Sequence, residues 1–429
     1  MNQKAKSLTD IVNLFKPMAL TEEQSVFYQK TASVRDGTHY EFHEGFYNRI
    51  LKSDSHERLL VVGHGGCGKS TELHMLKAKL AKFGLPVIHI EARDDLDLYN
   101  FSYIDLFMLI VDRTAQYAVA HKLKIDKRIV SAFEQALSSK VRQDFWNEEK
   151  AVGVEGSVSL SASIPSFVKA LAKISSALKM ASGYNEQLRL EIKPRIPDIV
   201  SSLNALFKEL SEQVGHPIVI IIDGLEKCRQ ECVRKLFIED ISSLSDINAH
   251  LVIACPISVF RSSDASVVSS YFVSPVVIPM IKTHNVDGSN NTAGIAVIRE
   301  LILKRADDSF FDAEVLDKII TSAGGSLRDT CNILSNCAFE ASMHGNETID
   351  MNSVCFTLNR YATDVFFRVE NRLYQRVKKI YDKDFKATQD PELSELLYSG
   401  AVFEYNGDRW VDLHPLIRKY IDDHSGVLD

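Results

Sequence analysis

Residues 63–70 read Gly-His-Gly-Gly-Cys-Gly-Lys-Ser, which matches the G-x-x-x-x-G-K-S pattern of a phosphate-binding loop. The apolar run at 59–62 has the length and composition of a buried parallel strand. Residues 71–80 carry a leucine every three or four positions and predict a helix. A strand, a glycine-rich loop and a helix in this order predict a site where backbone N–H groups surround phosphate oxygens.

The residue types in this loop suit a nucleotide phosphate chain with Mg²⁺. Glycines leave room for the backbone to curl around phosphates, and the positive end of the following helix adds to the field. Lys69 is expected to reach the β- and γ-phosphates, and Ser70 to offer its hydroxyl to Mg²⁺. The predicted nucleotide-binding residues of the loop are Gly63, His64, Gly65, Gly66, Cys67, Gly68, Lys69, Ser70 and Thr71.

Composition indicates a globular protein without a large basic surface. The chain has 429 residues, enough for about two to four domains, and its formal net charge of −7 excludes general attraction to DNA or anionic membranes. The first residues lack a secretory signal, and no apolar run approaches membrane-spanning length. The seven cysteines show no zinc-site spacing and are expected to be reduced. We therefore expect a cytoplasmic protein that makes no membrane contact.

The fold class follows from alternating strands and helices. Four further apolar runs predict strands at 86–91, 218–222, 251–254 and 276–278, and helical patterns such as 199–210 and 233–244 separate them. This alternation predicts an α/β fold with a parallel five-stranded sheet covered on both faces. Ligands bind beyond the carboxyl ends of such strands, where Lys69 and Asp223 both fall.

Two acidic residues form the second candidate constellation. Asp223 closes the most aliphatic strand and is expected to support Mg²⁺, usually through a water. Glu226 follows after a turn and is the candidate base that orients or deprotonates the attacking water. The predicted catalytic residues are thus Glu226 and Asp223, and the predicted metal site is Ser70 with Asp223. Two alternatives remain open: both acids form a solvated strand end, or Lys227 pairs with Glu226.

Asp223-Gly224-Leu225-Glu226, far downstream of a phosphate loop, resembles the STAND branch of the AAA+-related P-loop ATPases. The usual AAA+ order places the acid directly after the aspartate, whereas here Gly224 stands there. The chain is also similar to poorly characterised bacterial ATPases that carry Asp-Leu near Asp105-Leu106 and a later Gly-Gly-x-x-Arg. The resemblance extends from about residue 35 onward. It implies ATP and Mg²⁺ as cofactors and an α-helical lid after the sheet.

The lid motif matches at 324–328, where the sequence is Gly-Gly-Ser-Leu-Arg. The resemblance implies that Arg328 contacts the γ-phosphate, and a guanidinium suits that contact. The alternative is a glycine helix cap with Arg328 on a solvated face. The family's small polar sensor is replaced by Cys255, a weak hydrogen-bond partner. Arg261 lies nearby, either as an arginine finger in cis or in trans, or as a surface residue.

The sequence divides into four expected regions: an N-terminal helical segment at 1–45, a P-loop ATPase core at 46–282, a helical lid at 283–360, and a winged-helix-like domain at 361–429. The core contains an insertion at about 140–195. Within it, residues 152–164 alternate with period two and predict a strand or hairpin, and 166–174 predict an amphipathic helix. The insertion is interpreted either as a partner-binding or self-assembly element, or as a flap packed on its own core.

The C-terminal tail predicts a hairpin, because Asn-Gly-Asp at 406–408 separates apolar runs at 401–405 and 409–413. Helices with a terminal hairpin resemble the winged helix that follows the lid in origin-recognition and STAND ATPases. A basic stretch lies nearby and comprises Arg372, Arg376, Lys378, Lys379, Lys383 and Lys386. Protein contact is favoured over DNA contact because acidic residues interrupt this stretch.

We therefore predict an ATP-binding and ATP-hydrolysing STAND/AAA+-like molecular switch. The resemblance implies a homo-oligomer or a partner effector protein and extends to bacterial antiphage defence. One alternative is a DNA-associated loader resembling origin-recognition or transposition ATPases. Another is a non-hydrolysing nucleotide-bound scaffold, favoured by Cys255 at the sensor position. A small-molecule phosphotransferase is disfavoured because such kinases lack the lid and the wing.

Overall fold

The computed structural model describes residues 3–145, 164–180, 183–272, 275–384, 390–405, 410–424 and 426–428. Seven strands lie within these ranges: β1 Arg58–Gly63, β2 Val87–Glu91, β3 Val219–Asp223, β4 His250–Pro256, β5 Val276–Ile278, β6 Val402–Tyr405 and β7 Trp410–Leu413.

The helices of the first half are α1 Leu8–Leu14, α2 Ala32–Arg35, α3 Phe42–Lys52, α4 Lys69–Phe83, α5 Ala92–Asp95, α6 Tyr103–Ala120, α7 Lys127–Ala136, α8 Ser139–Phe145, α9 Ile164–Lys179, α10 Gly183–Ile192 and α11 Ile196–Val214. Those of the second half are α12 Gln230–Ile238, α13 Ile241–Leu244, α14 Ile257–Phe260, α15 Ala265–Tyr271, α16 Thr292–Leu303, α17 Val315–Ser322, α18 Leu327–Met343, α19 Met351–Phe366, α20 Tyr374–Tyr381, α21 Pro391–Ser399 and α22 Pro415–Asp423. Short 3-10 helices occur at Glu22–Phe27, Lys193–Arg195, Leu225–Lys227, Asp308–Phe310 and Asn371–Leu373.

The central sheet has five strands in the order β2-β3-β4-β1-β5, and all its pairings are parallel. The predicted α/β fold with a parallel five-stranded sheet is therefore confirmed. Strand β3 is buried along its whole length, as its continuous aliphatic sequence predicts. The carboxyl ends of β1 and β3 lie at the same edge of the sheet, so Lys69 and Asp223 approach each other there.

Helices cover both faces of this sheet. Alternate strand residues, such as Leu59 and Val61, pack with α3 and α4, whereas Leu60 and Val62 pack with α6 and α11. The helical pattern at 233–244 forms two helices, α12 and α13, rather than one. Asp240 directly precedes α13, and its side chain makes no capping hydrogen bond to that helix.

A second apolar cluster joins α1 to the helices α16, α17, α18 and α19 that follow the sheet. The N-terminal segment therefore packs on the region expected to be the lid. Strands β6 and β7 pair antiparallel, as predicted from the sequence, and the turn between them at 406–409 lies outside the described residues. Phe403 and Tyr405 of this hairpin pack into the sheet core beside β1.

The predicted helix at 166–174 is present within α9, which packs on α6. The strand or hairpin predicted at 152–164 lies outside the described residues, except that Ile164 begins α9. Among the described helices, none is both long and apolar enough to cross a membrane.

Candidate functional site

The glycine-rich loop between β1 and α4 has a backbone that requires glycine at two positions. Gly66 and Gly68 have φ of +92° and +106°, in the left-handed region that side chains disfavour. An added Cβ at Gly66 would also lie 2.7 Å from the Cβ of Arg328. The loop therefore turns tightly and opens α4 with its first N–H groups facing the site.

Lys69 is buried at the first position of α4. Its Nζ donates to the carbonyl oxygens of Gly63 at 3.0 Å and His64 at 2.8 Å. An ammonium has three donors, so these two bonds hold the charge at the loop and leave one donor for a ligand.

A cavity of about 670 Å³ opens beside the loop, a volume within the usual range for small-molecule sites. Of the sequence-predicted residues, it is lined by Gly66, Cys67, Gly68, Lys69, Ser70, Thr71, Glu226 and Arg328. Gly63, His64, Gly65 and Asp223 do not line it. Other lining residues come from the N-terminal segment, β2 and the helices after the sheet, including Met18, Leu20, Tyr28, Arg35, His89, Glu91, Leu301 and Arg305. The site therefore lies where these three parts of the chain meet.

Asp223 is fully buried at the end of β3, and its Oδ1 accepts the N–H of Gly224 at 2.7 Å. Burial, followed by the charges of Glu226 and Glu91, raises the pKa of Asp223 to about 6. The Ser70 hydroxyl acts in the opposite direction on this pKa. The structure thus brings Ser70 and Asp223, the two predicted Mg²⁺ ligands, side by side.

Glu226 faces the cavity with a side chain only 9% exposed. Burial alone would raise the pKa of this carboxyl, but the charges of Lys69, Arg328 and Lys227 outweigh it and lower the pKa. Glu226 Oε2 is buried and has no hydrogen-bond partner among the described residues. An ionised, partly unsatisfied carboxylate in this place is suited to accept a proton or a hydrogen bond from a ligand.

The alternative pairing of Lys227 with Glu226 is wrong. Lys227 Nζ binds Glu91 Oε1 at 2.7 Å, because β2 and β3 are neighbours and place Glu91 beside the turn after β3. Glu226 Oε1 instead forms an ion pair with Arg328, whose Nη2 lies 3.9 Å away.

Arg328 belongs to the start of α18, which touches the loop directly. The N–H groups of Leu327 and Arg328 donate to the carbonyl of Gly66 at 3.1 and 3.3 Å. The side chain of Arg328 is 41% exposed toward the cavity, so it remains free to move toward a ligand. The structure therefore joins the Gly-Gly-x-x-Arg segment to the glycine-rich loop.

Several residues at the site were missed by sequence reasoning. Arg35 is buried and donates from Nη2 to the carbonyl of Cys67 at 2.7 Å and from Nη1 to Pro279. The hydroxyl of Tyr28 donates to Glu72 Oε1 at 2.7 Å. These residues fasten the N-terminal segment to the loop and α4. A lone arginine and a lone tyrosine have no motif, so no local signal marks them.

The opposite side of the loop is bound to the C-terminal hairpin. His64 Nε2 accepts the backbone N–H of Glu404 at 2.8 Å. Arg261 binds the Glu404 carboxylate through two bonds, of 2.8 and 2.5 Å; the Glu404 side chain is buried and that of Arg261 is 13% exposed. Arg261 is therefore neither a surface residue nor available as a finger in this conformation.

The fold and this site define a P-loop NTPase. Residues 41–253 match the sequence model of the KAP family P-loop domain. No curated protein matches the chain.

Solved structures similar to the chain include the ORC2 protein of Aeropyrum pernix in ADPNP–ADP complexes, with 12% identity, 98% coverage of each chain and a TM-score of 0.41. The Cdc6p protein of Pyrobaculum aerophilum has 11% identity, covers 94% of this chain and 98% of its own, and has a TM-score of 0.38. The RuvB Holliday junction branch migration motor of Thermotoga maritima has 10% identity, coverage of 95% and 98%, and a TM-score of 0.35.

Proposed function

We propose that the chain is an ATPase of the STAND/AAA+ type, in which the bound nucleotide sets how the helices after the sheet sit on the loop. The observation that carries this proposal is the convergence on one cavity of four elements: the glycine-rich loop, Lys69, Glu226 and Arg328. Ser70 also lines this cavity, and Asp223 lies directly behind it, next to Ser70.

The loop and Lys69 bind the phosphates. Backbone N–H groups at the start of α4 and the Lys69 ammonium face anionic oxygens, which such groups stabilise. Ser70 and Asp223 fit Mg²⁺, because it prefers oxygen ligands, and a cation offsets the repulsion that raises the pKa of Asp223. When bound, Mg²⁺ supplies neutralisation of the phosphate charge.

Glu226 acts as the base, and Arg328 as the sensor. Glu226 stays ionised through the nearby cations and has an oxygen without a partner, so it can orient an attacking water. Arg328 forms an ion pair with Glu226, and its own N–H and that of Leu327 bind the lid to the Gly66 carbonyl. A γ-phosphate that attracts Arg328 away from Glu226 shifts the lid only through its differential affinity for the two arrangements.

The Lys69→Ala variant tests binding. Removing a charged donor to phosphate costs about 1.5–3 kcal/mol, so the Kd for ATP should rise roughly tenfold or more. Lys82→Ala on the same helix is the control, because Lys82 is exposed and its ion pair is with the exposed Glu22. Isothermal titration gives both affinities, and undiminished ATP affinity in Lys69→Ala would refute the proposal.

The Glu226→Gln variant tests hydrolysis. Loss of a general base should lower phosphate release roughly 10²–10⁴-fold while ATP binding is retained. If the wild-type protein releases no phosphate in any assembly state, the non-hydrolysing scaffold replaces the switch.

We further propose the regional division at 1–45, 46–282, 283–360 and 361–429, with a winged helix in the last region. In this proposal the switch acts as a homo-oligomer or with a partner effector protein, in the cytoplasm and in antiphage defence. A DNA-loader role is less favoured, because Arg372 binds Glu370 and Glu395, and Arg376 binds Glu392. Duplex affinity falling steeply with salt would reverse that preference.

A further inference from the structure

A group of metal-ligating side chains lies at one wall of the phosphate cavity, which is lined by His74, His89 and Glu91. His74 on α4, His89 and Glu91 on β2, and Asp223 on β3 each place one ligand atom so that all four atoms lie within 4.8 Å of one another. We propose that these four residues bind a single divalent transition-metal ion. This proposal does not rest on the chain being an ATPase.

The sheet register creates the group. Glu91 and Asp223 are direct register partners on the neighbouring parallel strands β2 and β3. His89 precedes Glu91 by two residues and therefore projects on the same face of β2. Helix α4 covers that face and brings the His74 ring to 5.3 Å from the His89 ring, at an interplanar angle of 89°.

The hydrogen bonds of the histidines leave nitrogens available. His74 Nδ1 lies 2.9 Å from the carbonyl oxygen of Leu20. Because a carbonyl only accepts, Nδ1 carries the proton, and Nε2 keeps its lone pair, the arrangement that metal-ligating histidines adopt. His89 Nε2 is buried without a hydrogen-bond partner among the described residues, a costly state that a metal ion would relieve.

The charges around the group favour a cation. Glu91 and Asp223 stand side by side, and Glu226 lies close enough to act on Asp223. Lys227 binds one oxygen of Glu91 and offsets part of this negative charge, leaving the second oxygen. Lys77 is a further cation near the group, and its charge acts on His89.

The types of ligand in this group indicate which metal ions it would bind. Two imidazoles with two carboxylates suit Zn²⁺, Co²⁺ or Mn²⁺, whereas Mg²⁺ prefers an all-oxygen shell. Tetrahedral Zn²⁺ at 2.0–2.1 Å needs ligand atoms about 3.3 Å apart, so the side chains close by rotation on binding. Asp223 belongs both to this site and to the proposed Mg²⁺ site, so the two metal sites lie next to each other.

The test uses the full chain, free of nucleotide and stripped of metal. Titration with Zn²⁺ by calorimetry and with Co²⁺ by visible absorption should show one equivalent, with affinity lowered at least tenfold in His89→Gln and in His74→Gln. His121→Gln is the control, since His121 is exposed and outside the group. Each variant's melting temperature with and without Zn²⁺ is compared with its own baseline, so a folding defect is separated from lost binding.

The proposal would be overturned by no Co²⁺ binding in the wild type, by equal binding in the wild type and both histidine variants, or by full displacement of Co²⁺ by millimolar Mg²⁺. A Co²⁺ spectrum dominated by thiolate bands would assign the metal to cysteines and overturn it equally. Lys69→Ala should retain the metal, so failure of ATP binding and failure of this site are distinguishable.

Discussion

The two sides of the glycine-rich loop differ in how their polar groups are satisfied. On the hairpin side, His64 is bonded to the Glu404 backbone, and the Glu404 carboxylate is held by Arg261. On the cavity side, within the part of the chain that the structure describes, Lys69 is bonded only to loop carbonyls and Glu226 has an oxygen without a partner.

This difference indicates that one side of the loop anchors it and the other side contacts the ligand. The buried Glu404 carboxylate is paired through two bonds from Arg261, and such paired groups contribute to a defined structure. The buried oxygen of Glu226 that has no partner among the described residues has a free energy cost that the fold alone does not explain. The hairpin side therefore holds the loop in place, and the cavity side keeps its charges for a ligand. Three measurements bear on this division.

The largest effect is expected from breaking the anchor. Arg261→Met leaves the Glu404 carboxylate buried and unpaired, which should lower the free energy of unfolding by about 3–5 kcal/mol. The double variant Arg261→Met/Glu404→Met should recover much of that loss, because apolar replacement of a buried pair is often neutral. Urea unfolding gives both values. A loss as small as that of Lys4→Ala, which breaks an exposed pair with Asp307, would contradict an anchoring role.

On the cavity side, the Asp223→Asn variant is expected to be more stable than the wild type. The pKa of Asp223 is raised from 3.8 to about 6, so the folded protein binds the proton more tightly than the unfolded chain. Stability of the wild type should therefore fall as pH rises from about 4 to 6, and Asp223→Asn should lack that fall. Without nucleotide or metal, the variant should gain about 1–3 kcal/mol at pH 8 and nothing below pH 4.

Urea midpoints across this pH range measure the difference. The exposed Asp423→Asn is the control for an amide substitution. A destabilised Asp223→Asn at pH 8 would mean that the carboxylate serves the fold, and the proposed division between the two sides would be lost.

The smallest effect concerns one hydrogen bond between the C-terminal hairpin and the turn that precedes α18. The buried Tyr405 hydroxyl donates to the carbonyl of Gly324 at 2.8 Å, so Tyr405→Phe should cost about 1 kcal/mol. Tyr398→Phe should cost less, because Tyr398 is 41% exposed and its bond to Cys228 is 3.3 Å long. Equal midpoints for both variants in urea would show that this contact does not hold the hairpin.

Sequence patterns located the sheet, because its strands are short apolar runs whose signal is local. They also located Lys69, Ser70 and Asp223, since a motif and a strand end place these residues at one edge of a parallel sheet. Helix boundaries were less well predicted, as where the single pattern at 233–244 forms the two helices α12 and α13.

Contacts between distant parts of the chain carried no such signal. His64 and Glu404 are 340 residues apart, and Arg35 reaches Pro279 across 244 residues. The group of His74, His89, Glu91 and Asp223 depends on strand register and on a covering helix, neither of which a spacing rule describes. Long-range pairings of single residues need the fold before they can be found.

Position 224, at this edge of the sheet, tolerates few residues other than glycine. Its φ of +80° disfavours any side chain, and an added Cβ would overlap the Glu91 carboxylate. A library of all substitutions at position 224, screened for folded protein, should therefore return glycine almost alone. Replacing Glu91 by a smaller residue, as in Glu91→Ala, should allow more residues at position 224. The increase would show how much of the restriction comes from crowding by Glu91 and how much from the backbone conformation.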